Sequence, residues 1–495
     1  MWQTMQQAGS LTHWAMAKSL LLFLLGGCAG VPDRISQEPT ADACYERFTQ
    51  ADKRIDSVGL RDAADHRVER FPWLRTDRFL TSRQPDVSAQ DGEWEIWLEK
   101  LHKRDLEARR YEHANLHGLP PEHAQLDTLL DSLADCGREL NQLVLGDEAL
   151  REQIADAAEV PDDYRTVNRW LGLYPISRWF VLAGVANLHA EQEAALVDKA
   201  SPGKAALTIR YSGTAPDEQS TDLEGRIKRD PLDRPRPSPP AREALLDRHA
   251  PVWELHTESH ADRIGKPRWR GSERPQVDTD EPTEYRYLTW AEFEGEPVLQ
   301  LNYLVWLPER PARDGLLERL LTGHMDGLIW RVTLDAEGEV LAGESLHTCA
   351  CYYMVFPGPE LEPRDDPPGG EPAFIGPTLP QTDDSQRLVL TREASSHYLI
   401  HIETTDADRG NTELDVRPAN QLRSLPHPEG RRSLYGEDGI VPGTQRAERW
   451  LLWPMGVRSA GAMRQPGRHA IAFAGVRHFD APDLLEQHFH RSEQD

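Results

Sequence analysis

Val298-Leu299-Gln300-Leu301-Asn302-Tyr303-Leu304-Val305-Trp306-Leu307 reads as a strand buried in a sheet and ended by Pro308, which has no N–H to give to a ladder. Downstream, Leu328–Leu334 and Val340–Phe356 flank Asp335-Ala336-Glu337-Gly338, a hairpin turn signal. Leu388–Leu390, Tyr398–Glu403 and His469–Phe473 add strands, and Asp480-Ala481-Pro482-Asp483 caps a short C-terminal helix. A proline-rich excursion, Pro357–Pro380, leaves the sheet and returns before Arg387.

Upstream the period changes. Cys44 shares a helical stripe with Phe48, Ala51 and Ile55, and Cys136 lies on the stripe Leu126, Leu129, Leu130, Leu133, Leu140 and Leu143. Trp94, Trp97, Leu98 and Leu101 follow helical spacing in a charged segment, 93–112, that otherwise reads as solvent-facing. Asp147 can cap a further helix holding Leu150 and Ile154. Trp179–Leu188 is apolar on nearly every face, which fits a buried central helix or a surface patch for lipid or a partner. Between the two regimes, 215–241 is rich in charge and proline. The fold class expected is therefore α+β: a helical domain over 41–200, a proline-rich connection over 201–250, and a β-rich, mostly antiparallel domain over 251–495 containing the 357–380 excursion.

Leu25-Gly26-Gly27-Cys28 ends the apolar run Leu20–Leu25, which is too short to span a bilayer but suits a signal segment. It resembles the lipobox of bacterial lipoproteins. The resemblance covers this segment alone and implies a signal peptide over 1–27, cleavage before Cys28, diacylglycerol and palmitate-type acylation of that residue, and a tether over 28–40. With Ala29 rather than aspartate next, it implies the outer membrane, with the body in the periplasm. No Lys or Arg precedes Lys18, so a start at Met16 would make the more ordinary signal.

The chain has 495 residues, enough for two or three domains, and a net charge of -26. That charge excludes nucleic acid as a partner and implies that the body is repelled from an anionic membrane, so a soluble periplasmic ligand or an envelope protein is expected. With Cys28 lipidated, four cysteines remain. Cys44 and Cys136 both face a helical core and are expected to pair, leaving Cys349 and Cys351 with each other.

Three constellations could carry chemistry. On a strand, His347, Cys349 and Cys351 would share one face as zinc donors; neighbours on a face stand about 6.8 Å apart, so a metal would need distant help, with His324, His397 or His401 beside Glu403 as candidates. The alternative is a disulfide or a pair of thiols. His256, Glu258, His260 and Asp262 would likewise share a face, or form a solvated loop. Arg464, Arg468, His469, Arg477 and His478 make a basic patch that could hold an anion or another part of the chain. Gly-x-Ser-x-Gly, His-Glu-x-x-His and the glycine-rich phosphate loops are absent. A binding or assembly module is thus expected ahead of the alternative, a metal-dependent hydrolase.

Overall fold

In the computed structural model, residues 31–198, 207–213, 227–313, 315–406 and 410–492 are described. Cys28 and the apolar run before it lie outside them. Helix α1 (Pro39–Asp56) starts on a proline, whose missing N–H is unneeded in a first turn, and buries Cys44, Phe48 and Ile55. Helix α2 (Asp91–His117) ends at Gly118 in the left-handed conformation, φ 65°. Helix α3 (Ala124–Leu145) buries Leu126, Leu130, Leu133, Cys136 and Leu140, and α4 (Glu148–Ala157) starts where the Asp147 side chain accepts from the Leu150 N–H. A disulfide joins Cys44 of α1 to Cys136 of α3.

The polar side of α2 is not the solvated face that its charges suggest. Arg75 Nη2 stands 2.7 Å from Glu112 and its Nε 3.1 Å from Asp105, which also takes Arg109 Nε at 2.6 Å, all with buried side chains. Partners from outside the helix neutralise these groups, so α2 is central rather than peripheral. It also packs closely on α3. A Cβ placed on Gly137 would overlap the His102 imidazole, which is tied through Nδ1 to the Trp73 carbonyl at 2.9 Å. Gly137→Ala is therefore expected to destabilise by about 1–3 kcal/mol, although alanine is the better helix former. Urea denaturation measures it, and a variant as stable as the parent would show that the ring can swing aside.

The strands of the two larger sheets, in chain order, are β1 (Leu207–Ser212), β2 (Val252–Thr257), β3 (Thr283–Phe293), β4 (Glu296–Arg310), β5 (Gly323–Leu334), β6 (Val340–His347), β7 (Met354–Pro357), β8 (Phe374–Ile375), β9 (Gln386–Arg392), β10 (Leu399–Asp406), β11 (Thr412–Glu413) and β12 (Asp415–Pro418). A seven-stranded sheet runs β8-β7-β6-β5-β4-β3-β12, and a five-stranded one β10-β9-β2-β1-β11. The helices are N-terminal and the sheets mostly antiparallel, so the fold is α+β. Central β4 is buried on both faces. Leu299, Leu301, Tyr303, Val305 and Leu307 meet the five-stranded sheet through Trp253, Leu255 and Leu390. Val298, Leu304 and Trp306 meet the C-terminal segment through Leu434, Phe479 and Phe489. The strand continues past Pro308 because β3 ends opposite Val305, leaving no ladder on that side to interrupt.

The structure departs from the expected elements at four places. Val340–Phe356 is a hairpin rather than one strand: the chain turns over 348–353 with Ala350 and Tyr352 at positive φ, 70° and 60°. Residues 469–473 contribute only an isolated bridge from Ala470 to His478, and the C-terminal stretch after Asp480 forms turns instead of a helix. In the expected connection, residues 207–212 are strand β1 and Pro239–Arg248 is a helix started by the Ser238 side chain. The helical and sheet regions are also joined directly. Arg423 Nε lies 2.9 Å from Asp62, and Arg78 Nε 3.3 Å from Asp480.

Candidate functional site: a polar cleft between helices and sheet

Three segments far apart in sequence enclose a cleft of about 750 Å³: the loop 61–67 after α1, the stretch 161–165, and the C-terminal coil from 437 to 468. Its frame is fixed by groups that bind one another. Asp62 accepts from Arg423 and from the Ala64 N–H, and Arg458 pairs with Asp438 at 3.0 Å. Asp162 accepts from the Tyr164 N–H at 3.1 Å.

Arg67 is held by Asp56 and Asp52, and Asp163 by Arg78, while other lining groups have less to hold. Arg61 is exposed and has no partner among the described residues. Arg468 donates Nε to the Ala63 carbonyl at 2.9 Å, and Arg464 donates Nη2 to the Ser459 carbonyl while its Nε has no partner among the described residues. Burial raises Asp65 to about 6, with the Arg104 guanidinium, 3.8 Å away, opposing. Burial also raises Asp163 against the pull of Arg468 and Arg78. His66 is pushed down to about 3 by burial and by Arg468, Arg78 and Arg61, so it is neutral, and its Nε2 is buried without a hydrogen-bond partner among the described residues. Perturbed acids, a neutral imidazole and unpaired guanidiniums in one concavity fit recognition of a polar, anionic molecule.

Comparison with protein-family models, curated proteins and solved structures found no match for this chain.

Of the basic patch seen in the sequence, Arg464 and Arg468 line the cleft while Arg477 and His478 turn to other parts of the chain: Arg477 Nη2 donates to the Glu371 carbonyl at 2.6 Å, and His478 Nε2 is 3.3 Å from Asp162. The other two constellations partly converge elsewhere. Asp326, at the start of β5 and fully buried, accepts from His397 Nδ1 at 2.8 Å and stands 3.5 Å from His347 Nδ1 and 3.3 Å from Arg446 Nη2. His397 Nε2 reaches Asp262 at 3.2 Å, and Asp262 in turn accepts from the N–H groups of Glu258 and Ser259. His256 lies buried on β2 and His260 on the short turn after it, outside this set. His324 binds the Pro275 carbonyl instead, and His401 lies 3.7 Å from Glu403.

Burial would raise Asp326, but His347, Arg446 and His397 hold it well below the carboxylate range. Burial would lower His397, but hydrogen bonds to Asp262 and Asp326 raise it. His347 goes the other way, to about 4, because burial outweighs Asp326. Met325, Ala350, Tyr352, Ser395 and His397, all within or next to this network, have positive φ. The network is sealed from solvent, so it braces the backbone rather than meeting a ligand.

Cys349 and Cys351 sit buried and unbonded on the adjoining turn, where the Cys349 thiol and burial hold the Cys351 thiol well above its ordinary value. Among the described residues no three His, Cys, Asp or Glu side chains converge as metal donors, so His347, Cys349 and Cys351 are not brought together as a zinc set. Asp326 had no signal in the sequence, being one acid among 82 acidic residues.

Proposed function

We propose that this chain is a binding module of the cell envelope, anchored at the outer membrane through Cys28, whose cleft takes a small polar anion from the periplasm. One observation carries the reading: within an acidic protein, Arg61 and Arg468 in the cleft act on His66, whose buried Nε2 has no partner among the described residues, and Arg464 lines the same space. A guanidinium donating to an anion makes a charge-assisted bond worth about 1.5–3 kcal/mol, so losing one weakens binding about tenfold or more.

Calorimetric titration with inorganic phosphate, sulfate, citrate and a hexose phosphate at low ionic strength tests this. Saturable binding of at least one is expected, weakened about tenfold in Arg61→Ala and in Arg468→Ala. The pH dependence has a fixed sign. Asp65 is held at about 6, so below that pH it takes a proton and the cleft loses a negative charge; affinity for sulfate, whose own charge is constant over the range, should therefore rise between pH 7.5 and 5.5. Failure of all four probes to bind, or binding indifferent to both variants, overturns the reading.

A further inference from the structure

The expectation that an acidic body is repelled by a membrane treats the charge as evenly spread, and it is not. Residues 164–190 contain no Asp or Glu but carry Arg165, Arg169 and Arg178, and residues 449–479 contain none either; of the five arginines there, Arg458, Arg464 and Arg468 line the cleft and Arg477 turns to the Glu371 carbonyl, which leaves Arg449 for this face. The fold brings these two acid-free stretches together. Helix α5 (Thr166–Leu171) and the start of α6 (Tyr174–Asp198) lie against the turn 453–456: the Arg165 N–H donates to the Gly456 carbonyl at 2.9 Å, Arg169 Nε donates to the Met455 carbonyl at 2.8 Å, and Gly172 abuts Pro454.

What this joint surface shows to solvent is apolar and aromatic. Trp170 and Phe180 are each 78 % exposed and Trp450 is 70 % exposed, with Leu173, Trp179 and Leu451 beside them. Soluble proteins rarely leave such a contiguous patch uncovered. Arg178 lies over the Trp179 ring at 5.1 Å and Arg449 over the Trp450 ring at 4.9 Å, so cations stand directly against the exposed indoles. Indole with arginine suits the headgroup layer of a bilayer, where the ring sits at the apolar boundary and the guanidinium meets phosphate. No helix among the described residues is long and apolar enough to cross a membrane.

We infer that the face formed by Thr166–Phe180 and Arg449–Trp453 seats the protein on an anionic phospholipid surface, lying in the headgroup layer. The charge decides the occupant: an arginine-rimmed aromatic face that excludes acids on a chain of net charge -26 complements anionic lipid, whereas a second copy would set like-charged rims against each other. The inference does not rest on the cleft, and its test is made independent of the anchor.

The chain from residue 28 onward carrying Cys28→Ser, so that neither the apolar signal segment nor an acyl chain contributes, is floated with vesicles of phosphatidylethanolamine and phosphatidylglycerol and with vesicles of phosphatidylcholine. Flotation is expected with the anionic vesicles, weaker with the neutral ones and at high salt, together with a blue shift of tryptophan emission. Trp170→Ser/Phe180→Ser/Trp450→Ser on that background should lower partitioning at least tenfold. Arg178→Glu/Arg449→Glu keeps the apolar surface and should remove the preference for anionic over neutral vesicles. Equal flotation of parent and triple variant, no preference for the anionic vesicles, or a parent that instead forms a dimer abolished by the triple variant, overturns the inference.

Discussion

Asp326→Ala is expected to destabilise the protein by about 3–5 kcal/mol, the range for removing one partner of a buried ion pair. The carboxylate is fully buried and answers three cationic or polar partners, and alanine would leave Arg446 and His397 facing each other with nothing between them. Asp326→Asn keeps the shape and one acceptor but not the charge, and should recover only part of the loss. The pH dependence distinguishes this from simple loss of packing. The folded His397 is raised above its ordinary 6.5, so its contribution is complete below that value and is lost as pH rises through the raised one. Asp326 is lowered below 3.8, so its contribution is complete above that value and is lost as pH falls below it. Parent stability should therefore decline on the alkaline side of the His397 transition, and that decline should shrink in Asp326→Asn. Urea denaturation across pH reads both, and a variant with unchanged alkaline slope would remove the ion network from the account.

Opening the Cys44–Cys136 bridge should have an effect of similar size. The bridge closes a loop of 92 residues, for which the chain-entropy treatment gives about 4–5 kcal/mol. It joins α1 to α3, so the loss falls on the helical region. Cys44→Ala/Cys136→Ala should therefore melt well below the oxidised parent, and reductant should lower the parent to nearly the same point while leaving the variant unmoved. A parent indifferent to reductant would mean that the pair is not bonded in solution.

How much of this could be seen beforehand depended on whether the deciding contact was local. The β4 run, the stripe of α3 and the Asp147 cap are stated by residues a few positions apart, and so is the Asp335–Gly338 turn, where the Asp335 carboxylate accepts from the Glu337 and Glu339 N–H groups. The 348–353 turn was not visible because Ala350 and Tyr352, neither a usual left-handed residue, hold the positive φ, and the surroundings impose it: the Thr348 N–H donates to the Gly327 carbonyl, and the Arg464 N–H to that of Thr348. The buried charges of α2 misled for a related reason, since periodicity assigns charge to solvent and cannot register an arginine arriving from residue 75. For the cleft, the basic patch at 464–468 was a partial sign. Its other walls, near residues 65 and 163, carry no pattern of their own. His347, His397 and Asp262 were each singled out as candidates for a metal site, and the structure instead sets both histidines on Asp326 and Asp262 on the far side of His397.

The three-segment wall of the cleft also sets an order of events in the making of the protein. A chain delivered from its N-terminus has residues 61–67 long before residues 437–468, and until the latter are placed the loop has no opposite wall. A chain stopped or cut short of residue 437 has no cleft, whatever else of it has formed. Occupancy of the cleft is thus a property of the finished molecule alone, and a ligand held there would stabilise only chains that have completed their fold.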